Sequence, residues 1–139
     1  IVGTRKPSEN GANLCEGIIG ELKDYEVQII SGLAYGIDAI SHRAALKEDL
    51  STIGIMGSGM TITYPASHRN LRKKMLSKGG ILTEFPSATT PEREHFPMRN
   101  RIIAAMSDAI LVVESARKGG SMITAQIAFS YNKDIFFIH

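Results

Sequence analysis

The chain has few of the features that mark secreted or membrane-spanning proteins. Cys15 is its only cysteine, so no disulfide can form within the chain, and this favours a cytoplasmic location. No apolar run approaches the roughly 20 residues that a membrane-spanning helix requires. The first residues do not have the basic start of a signal peptide. We therefore expect a cytoplasmic protein that does not contact the membrane.

Several reactive motifs are also missing. Cys15 lies in an apolar helical stripe with Leu14 and Ile18, where a free thiol packs as a small hydrophobic side chain, and no adjacent base supports the alternative of a reactive thiol. No cluster of cysteine and histidine suggests a metal site. No Gly-Lys-Ser/Thr P-loop occurs, which argues against an NTPase. We expect no catalytic residue, no metal and no cofactor.

A strong excess of positive charge is absent as well. The chain has 16 Lys and Arg residues against 14 Asp and Glu residues, and the net charge of +2 is not that of a uniformly basic DNA-binding protein. The distribution matters more than the sum. Many acids fall on predicted helices, whereas several bases fall in predicted loops, namely Arg5, Lys6, Arg93, Arg117 and Lys118. A local basic surface is therefore compatible with this composition.

What the sequence does contain is a regular alternation of short apolar runs and helical patterns, enough for one domain with a core. The runs lack polar alternation, which is typical of strands covered on both faces. Strands are predicted at residues 1–2, 27–30, 52–56, 80–83, 109–113 and 135–138. Helices are predicted at residues 8–23, 36–47, 67–78, 98–106 and 121–131, with Ser8 and Ser67 as N-caps. The pattern predicts a doubly wound, mainly parallel sheet of about six strands in a three-layer αβα domain.

The chain begins without methionine at the end of a predicted strand and stops at the end of another. We therefore expect residues 1–139 to form a single domain of a longer protein. The longest irregular stretch, residues 84–97, contains three prolines, and a loop of that length in a compact domain is usually functional or mobile.

Small residues follow most of the predicted strands. In open α/β sheets, ligands bind beyond the carboxyl ends of the strands, where such turns present free backbone N–H groups and the positive ends of helices. The turns supply Gly3, Thr4 and Arg5; Ser31, Gly32 and Gly36; Gly57 and Gly59; and Lys118, Gly119, Gly120 and Ser121. Each turn alone could be an ordinary strand-to-helix connection, and none has the Gly-x-Gly-x-x-Gly spacing of a dinucleotide site. Their recurrence in successive units predicts an edge that binds phosphate.

A second candidate feature is the stretch of residues 90–101. Arg93, Arg99 and Arg101 could reach phosphates, while Phe96 and His95 could stack on a base. Basic side chains beside an aromatic ring are typical of a groove for single-stranded nucleic acid. In the alternative interpretation, Phe96 and the following proline hold the loop against the core, and Arg99 and Arg101 form salt bridges.

Across essentially all of its 139 residues, the sequence resembles the DNA-processing protein A family. The matching stretches are Val-Gly-Thr-Arg at 2–5, Ser-Gly-Leu-Ala-Tyr-Gly-Ile-Asp at 31–38, His-Arg at 42–43, Gly-Ser-Gly at 57–59, Tyr-Pro at 64–65, Asn70, Thr-Glu-Phe-Pro at 83–86, Phe-Pro-Met-Arg-Asn-Arg-Ile-Ile-Ala at 96–104 and Gly-Ser-Met-Ile-Thr-Ala at 120–125. The resemblance implies an extended Rossmann-like domain that binds single-stranded DNA without covalent chemistry. It also implies protection of incoming strands during natural transformation, loading of RecA recombinase and a homodimer.

The resemblance also implies particular contacts with DNA, at Arg5, at the Gly120–Ser121 turn and at the position of Arg93. Asn100 and Thr124 lie in the matching stretches and complete the predicted site. Other members have lysine after Tyr-Pro, where this chain has Ala66, so we add the nearby Arg69 as a basic contact. Family members often carry an N-terminal helical domain and a C-terminal winged-helix-like domain, which these residues do not include.

An alternative remains a nucleotide-binding or nucleotide-hydrolysing enzyme of the same superfamily. Asp38 and His42 are four residues apart and so share a helix face, while Glu84 and Glu114 follow strands. The simpler interpretation of the pair is a local hydrogen bond or helix cap. Related enzymes that cleave nucleoside monophosphates have a glutamate after their glycine-rich turn, whereas residues 121–126 contain no acid. The absence of this acid counts against hydrolysis.

Overall fold

Every strand in the structure, a computed structural model that describes residues 1–139, runs parallel to its neighbour, and a helix follows each of the first five. The strands are β1 Val2–Gly3, β2 Gln28–Ser31, β3 Ser51–Ile55, β4 Gly79–Leu82, β5 Ala109–Val113 and β6 Asp134–Ile138. The α-helices are α1 Glu9–Glu21, α2 Ile37–Lys47, α3 Arg69–Met75, α4 His95–Met106 and α5 Gly120–Ser130, with a short 3₁₀ helix at Ala66–His68. This confirms the predicted α/β class.

The strands form two three-stranded parallel sheets, in the orders β1-β5-β6 and β2-β3-β4. The sheets meet at Ile1, whose nitrogen donates to the Ile30 carbonyl at 2.8 Å and whose carbonyl accepts from Ser31 Oγ at 2.6 Å. One continuous sheet was predicted. The ladder is interrupted between β1 and β2 because β1 has only two residues, and the hydrogen bonds to β2 come from Ile1, which precedes the strand. The carboxyl ends of all the strands still point the same way.

Helix boundaries follow the local capping chemistry. Ser8 is the N-cap of α1, as predicted, and its hydroxyl accepts from the Gly11 N–H at 3.0 Å. The prediction for Ser67 was wrong, because a 3₁₀ turn follows Pro65 and places this residue inside the turn. Helix α4 begins at His95 and not at residue 98, since proline is tolerated in the first turn of a helix and Pro97 does not interrupt it.

The core lies on both faces of the sheets. One cluster contains Val2, Ile55, Ile103 and Ile110, and a second packs α1 and α2 against β2 and β5. Cys15 is fully buried in the second cluster, and burial raises the pKa of its thiol to about 11, so the thiol is protonated and inert at neutral pH. The packing role predicted for Cys15 is therefore confirmed.

The outer strands are less covered than expected. In β6, Phe136 is 58% and Phe137 50% exposed, so the prediction that this strand is covered on both faces was wrong. Apolar runs usually indicate a buried strand, but β6 is the edge of its sheet and pairs only with β5. No helix combines the length and the apolarity that crossing a bilayer requires.

Candidate nucleic-acid interface

An open cavity of about 930 Å³ lies at the carboxyl ends of β1, β2 and β5, and we call it the main cavity. It brings together residues from five separate parts of the chain, among them three of the stretches predicted to form the site. The predicted site residues that line it are Gly3, Thr4, Arg5, Arg93, Phe96, Arg99, Asn100, Gly119, Gly120, Ser121 and Thr124. A domain that encloses a cavity of this size at its strand ends has room for several nucleotide units.

The turn after β1 is fixed by close backbone packing. A Cβ atom on Gly3 would fall 2.2 Å from the Val113 carbonyl oxygen, and one on Gly36 would fall 2.3 Å from the Thr4 carbonyl oxygen. Gly36 also has a φ of 77°, in the left-handed region that favours glycine. The Ile37 N–H donates to the Thr4 carbonyl at 3.1 Å. Because the start of α2 holds this turn, the exposed Arg5 extends from a rigid backbone.

The Arg5 guanidinium lies over the ring of Phe96, 6.0 Å from its centroid. Phe96 is half-buried in the first turn of α4, and Arg99 lies 5.5 Å from the same ring. Two cations therefore flank one aromatic ring, an arrangement favoured by the negative potential of its faces. Arg93 is exposed at the lip of the main cavity. Arg5 and Arg93 thus keep their donors free for an anion.

The first turn of α5 forms another wall of the main cavity. Gly119 is its N-cap, and no side chain accepts from the first amides of the helix. Ser121 is hydrogen-bonded to Ser115 through their hydroxyls at 2.6 Å, and Thr124 lies one turn further along the same wall. Both side chains are nearly buried, at 9% and 1% exposure, so the backbone of this turn is what faces the cavity. Free amides and the positive end of the helix dipole attract anions. Since the site is open and lined by arginine, the arrangement suits a phosphate group.

Arg99 and Asn100 line the main cavity, but their polar groups are engaged in hydrogen bonds within the domain, so their contact with DNA stays a prediction. They are 4% and 8% exposed. Arg99 Nη1 donates to the carbonyls of Gly32 and Ile55, the latter at 2.6 Å, and Nε donates to Asn100 Oδ1 at 3.2 Å. Asn100 Nδ2 reaches the Gly120 carbonyl at 3.4 Å. These two neighbouring side chains therefore join the turn after β2, the end of β3 and the start of α5 from below.

Burial lowers the pKa of Arg99, and the nearby Asp38 carboxylate opposes this shift. Asp38 is itself buried and accepts from the Ala34 N–H at 3.3 Å. Neither of the salt bridges in the structure involves Arg99, so the alternative prediction of a salt bridge is wrong for this residue. The guanidinium is held by carbonyl oxygens because the strand ends direct them at the same point.

The remaining predicted site residues lie around the main cavity and do not line it. Ser31 is buried where the two sheets meet, and Gly36 supports the Arg5 turn. Gly59 packs against the backbone at Pro86–Ser87. Arg101 forms an ion pair with Glu84, so a salt bridge accounts for it, as in the alternative interpretation. Lys118 is exposed in the loop before α5, and Arg69 is exposed at the start of α3.

A second, small cavity of about 30 Å³ adjoins the main one, and we call it the side cavity. Arg5, Phe96 and Arg99 line both cavities, whereas Gly32, Gly57 and Pro65 line only the side cavity. Tyr35 and Tyr64 each stand at the side cavity with about half of their surface exposed. The sequence analysis missed both tyrosines as site residues, although each lies in a short, glycine- or proline-containing segment after a strand.

The residues considered for hydrolysis are occupied by structural contacts. His42 is fully buried, its Nδ1 lies 2.7 Å from Thr52 Oγ1, and burial lowers its pKa to about 3. It is therefore not paired with Asp38. Glu114 accepts from the N–H and the hydroxyl of Ser8 at the start of α1, and these hydrogen bonds lower the pKa of its carboxyl. His95 stacks on Phe85, with ring centroids 4.2 Å apart, so one face of its ring is already occupied.

Comparison with known proteins agrees with this geometry. The sequence profile of the DNA recombination-mediator protein A family matches residues 1–139. Protein Smf of Synechocystis sp. is 43% identical over 136 residues, which are 98% of this chain and 34% of that protein. The chain thus spans about a third of the length of that relative.

Two solved structures share the fold closely. The X-ray structure of DNA processing protein A from Streptococcus pneumoniae superposes with a TM-score of 0.90 at 35% identity, covering 99% of this chain and 50% of that one. The second is DNA processing protein A from Helicobacter pylori, whose structure is described in terms of its single-stranded DNA binding mode. It superposes with a TM-score of 0.89 at 29% identity, covering 98% of this chain and 63% of that one. On the match of its whole length, this chain belongs to the DNA recombination-mediator protein A family.

Proposed function

We propose that this domain binds single-stranded DNA in the main cavity and does no covalent chemistry on it. The observation that carries the proposal is the convergence of Arg5, Arg93 and the uncapped first turn of α5 on one open cavity beside Phe96. Phosphates would lie on the backbone amides and guanidinium groups, while a base could stack on an aromatic ring. Such contacts are independent of sequence, which suits a protein that must accept any incoming strand.

The test is fluorescence anisotropy with an oligothymidine at several salt concentrations. Binding should be tighter than to any mononucleotide, and log affinity should fall with log salt by roughly 0.7 for each phosphate neutralised. Arg5→Ala should weaken binding to all sequences alike and flatten that dependence. The matched control is Arg43→Ala, since Arg43 is exposed on α2 and lines neither cavity. An Arg5→Ala variant with an unchanged salt dependence would remove Arg5 from the site.

The absence of covalent chemistry has its own test. Glu84 is ion-paired with Arg101, and Glu114 accepts hydrogen bonds from Ser8, the N-cap of α1, so both carboxylates have structural partners. We expect no release of base or phosphate when the domain is incubated with nucleoside monophosphates. Release that disappears in Glu84→Gln would show a nucleotide hydrolase and overturn this part of the proposal.

We further propose that the domain acts in the cytoplasm, where it protects incoming strands during natural transformation and delivers them to RecA recombinase. RecA should assemble faster on an oligonucleotide already bound by the protein than on the same DNA bound by an unrelated single-strand binder. Equal rates would contradict delivery. This test measures transfer of the strand and is independent of how the strand is held.

A homodimer is also part of the proposal. Phe129 on α5 and Phe136 and Phe137 on β6 are between half and four-fifths exposed. Phe136 and Phe137 point to opposite faces of the sheet, and β6 is its edge strand, so large apolar side chains surround an unpaired edge, which is typical of an interface. We propose that a second copy covers them. Sedimentation equilibrium should give a dimer for the unsubstituted chain and a monomer for Phe137→Lys. A monomer in both cases would overturn this proposal without affecting the DNA site.

A further inference from the structure

Residues 50–83 carry the most one-sided charge in the chain. They contain five Lys and Arg residues and no Asp or Glu, although the whole chain has a net charge of only +2. The five cations, Arg69, Arg72, Lys73, Lys74 and Lys78, all lie on α3 or just after it. The remainder of the chain is therefore net negative, and positive potential is concentrated along one edge of the molecule.

Two of these cations have structural partners. Arg72 donates to the Met60 carbonyl and, at 3.0 Å, to Thr63 Oγ1, so it ties the loop before Tyr64 to α3. Lys78 forms an ion pair with Asp49 at 2.6 Å. These contacts give Arg72 and Lys78 structural roles, whereas Arg69, Lys73 and Lys74 have none.

Arg69, Lys73 and Lys74 are exposed and form no salt bridge. Helix α3 buries Leu71 and Met75, so its opposite face is open to solvent. Arg69 and Lys73 are four residues apart and lie on that face, about 6 Å apart along the helix axis. We call Arg69, Lys73 and Lys74 the α3 tract.

The α3 tract continues from the cavities described above. Tyr64 and Pro65 line the side cavity, and the 3₁₀ helix that follows them leads directly into α3. The Tyr64 ring lies 5.6 Å from that of Phe96 at the boundary of the two cavities. Tyr35 contacts His68 edge-on, with centroids 5.2 Å apart. Two exposed tyrosine rings therefore lie at the cavities beside the short segment that leads to the cations.

We propose that the α3 tract is a second surface for the DNA backbone, which receives the strand as it leaves the main cavity past Tyr64. This rests on the proposed function, because the tract would bind the same strand. Cations without acidic partners bind phosphates, and exposed aromatic rings stack on bases, so the two features together suit a single strand. The tract therefore adds affinity only for a strand long enough to reach it.

The test compares two lengths of oligothymidine. The shorter, of about 6 nucleotides, is the size of a single binding site, and the longer, of about 20 nucleotides, extends beyond one site. The variant is Lys73→Gln/Lys74→Gln. Affinity for the short strand should be unchanged, whereas affinity for the long strand should fall on the order of tenfold near ~0.1 M salt, with a salt dependence flatter by about 1.4 for two phosphates. Equal affinity for the long strand, or an equal loss at both lengths, would overturn the proposal.

The matched control is Lys23→Gln/Lys47→Gln, which removes the same charge at the C-terminal ends of α1 and α2, at the opposite end of the strands from the cavities. It should bind both strands like the unsubstituted chain, and a similar loss on the long strand would show that net charge alone is responsible. If the unsubstituted chain binds neither length, the proposed function fails, and the second surface fails with it.

Discussion

Replacing Arg99 with methionine removes the guanidinium that joins the turns beneath the main cavity. Two carbonyls, those of Gly32 and Ile55, lose a charged donor, and Asn100 loses the donor to its Oδ1. The buried carboxylate of Asp38 also loses its nearby cation. Methionine fills much of the space but supplies no hydrogen bond. Several buried polar groups are then left unpaired at one point.

The expected loss of stability is large. A hydrogen bond from a charged donor contributes about 1.5–3 kcal/mol, and breaking a buried charged network by removing one partner destabilises by about 3–5 kcal/mol. For a domain of this size, that corresponds to a fall in Tm of roughly 10–15 °C. Thermal and urea unfolding followed by circular dichroism measure it. The stability of Arg99→Lys should lie between those of the unsubstituted chain and Arg99→Met, because one ammonium cannot reach all three acceptors.

The same variant separates a supporting role from direct contact with DNA. At a temperature where Arg99→Met is folded, its affinity for oligothymidine should fall because the turns are no longer held, while the salt dependence stays that of the unsubstituted chain. Arg5→Ala should do the reverse, flattening the salt dependence by roughly 0.7 with a stability change within about 0.5 kcal/mol. A stable Arg99→Met variant with a flattened salt dependence would refute this reasoning.

Two further predictions concern stability. Burial lowers the pKa of His42 from 6.5 to about 3, so the neutral imidazole contributes fully to the free energy of unfolding above pH 6.5. This contribution is lost as the pH falls below 6.5, because the unfolded chain then binds a proton that the folded chain does not. Between pH 7 and pH 5, urea unfolding should show a loss of about 2 kcal/mol that is missing in His42→Leu. Gly36→Ala should destabilise by more than about 1 kcal/mol because its Cβ would meet the Thr4 carbonyl at positive φ, whereas Gly20→Ala, with open space around it in α1, should stabilise by up to about 1 kcal/mol. Equal effects of the two glycine substitutions would contradict the packing argument.

The order of the elements could be predicted because it depends on local patterns. Short apolar runs between helical stretches identify parallel strands, and β5 was found at the predicted residues 109–113. Errors arose where a distant part of the chain decides the outcome. The apolar pattern of β6 does not reveal that its sheet ends there, and the two-residue length of β1 does not reveal that the ladder is interrupted beside it.

The site could be predicted in its location but not in the roles of its residues. The carboxyl ends of parallel strands form one edge, so turns that follow different strands must meet there. Arg99 was assigned to DNA because it follows an aromatic residue in a stretch with several arginines, a pattern typical of a groove for single-stranded nucleic acid. Its burial depends on carbonyls 67 and 44 residues away in the chain, and no local pattern could reveal that these converge on one guanidinium. Burial of Arg99 was therefore visible only in the folded structure.

A net charge of +2 does not prevent binding of a polyanion, because the acids and bases are arranged differently. The main cavity is lined by two acids, Asp38 and Glu92, and by four cations, Arg5, Lys6, Arg93 and Arg99, so its own lining is net positive. Arg5 and Arg93 remain free, and the amides at the start of α5 add positive potential that the formal charge does not count. These backbone amides and guanidinium groups contact phosphates, which are the same for every base. Binding should accordingly depend on salt and strand length far more than on base composition.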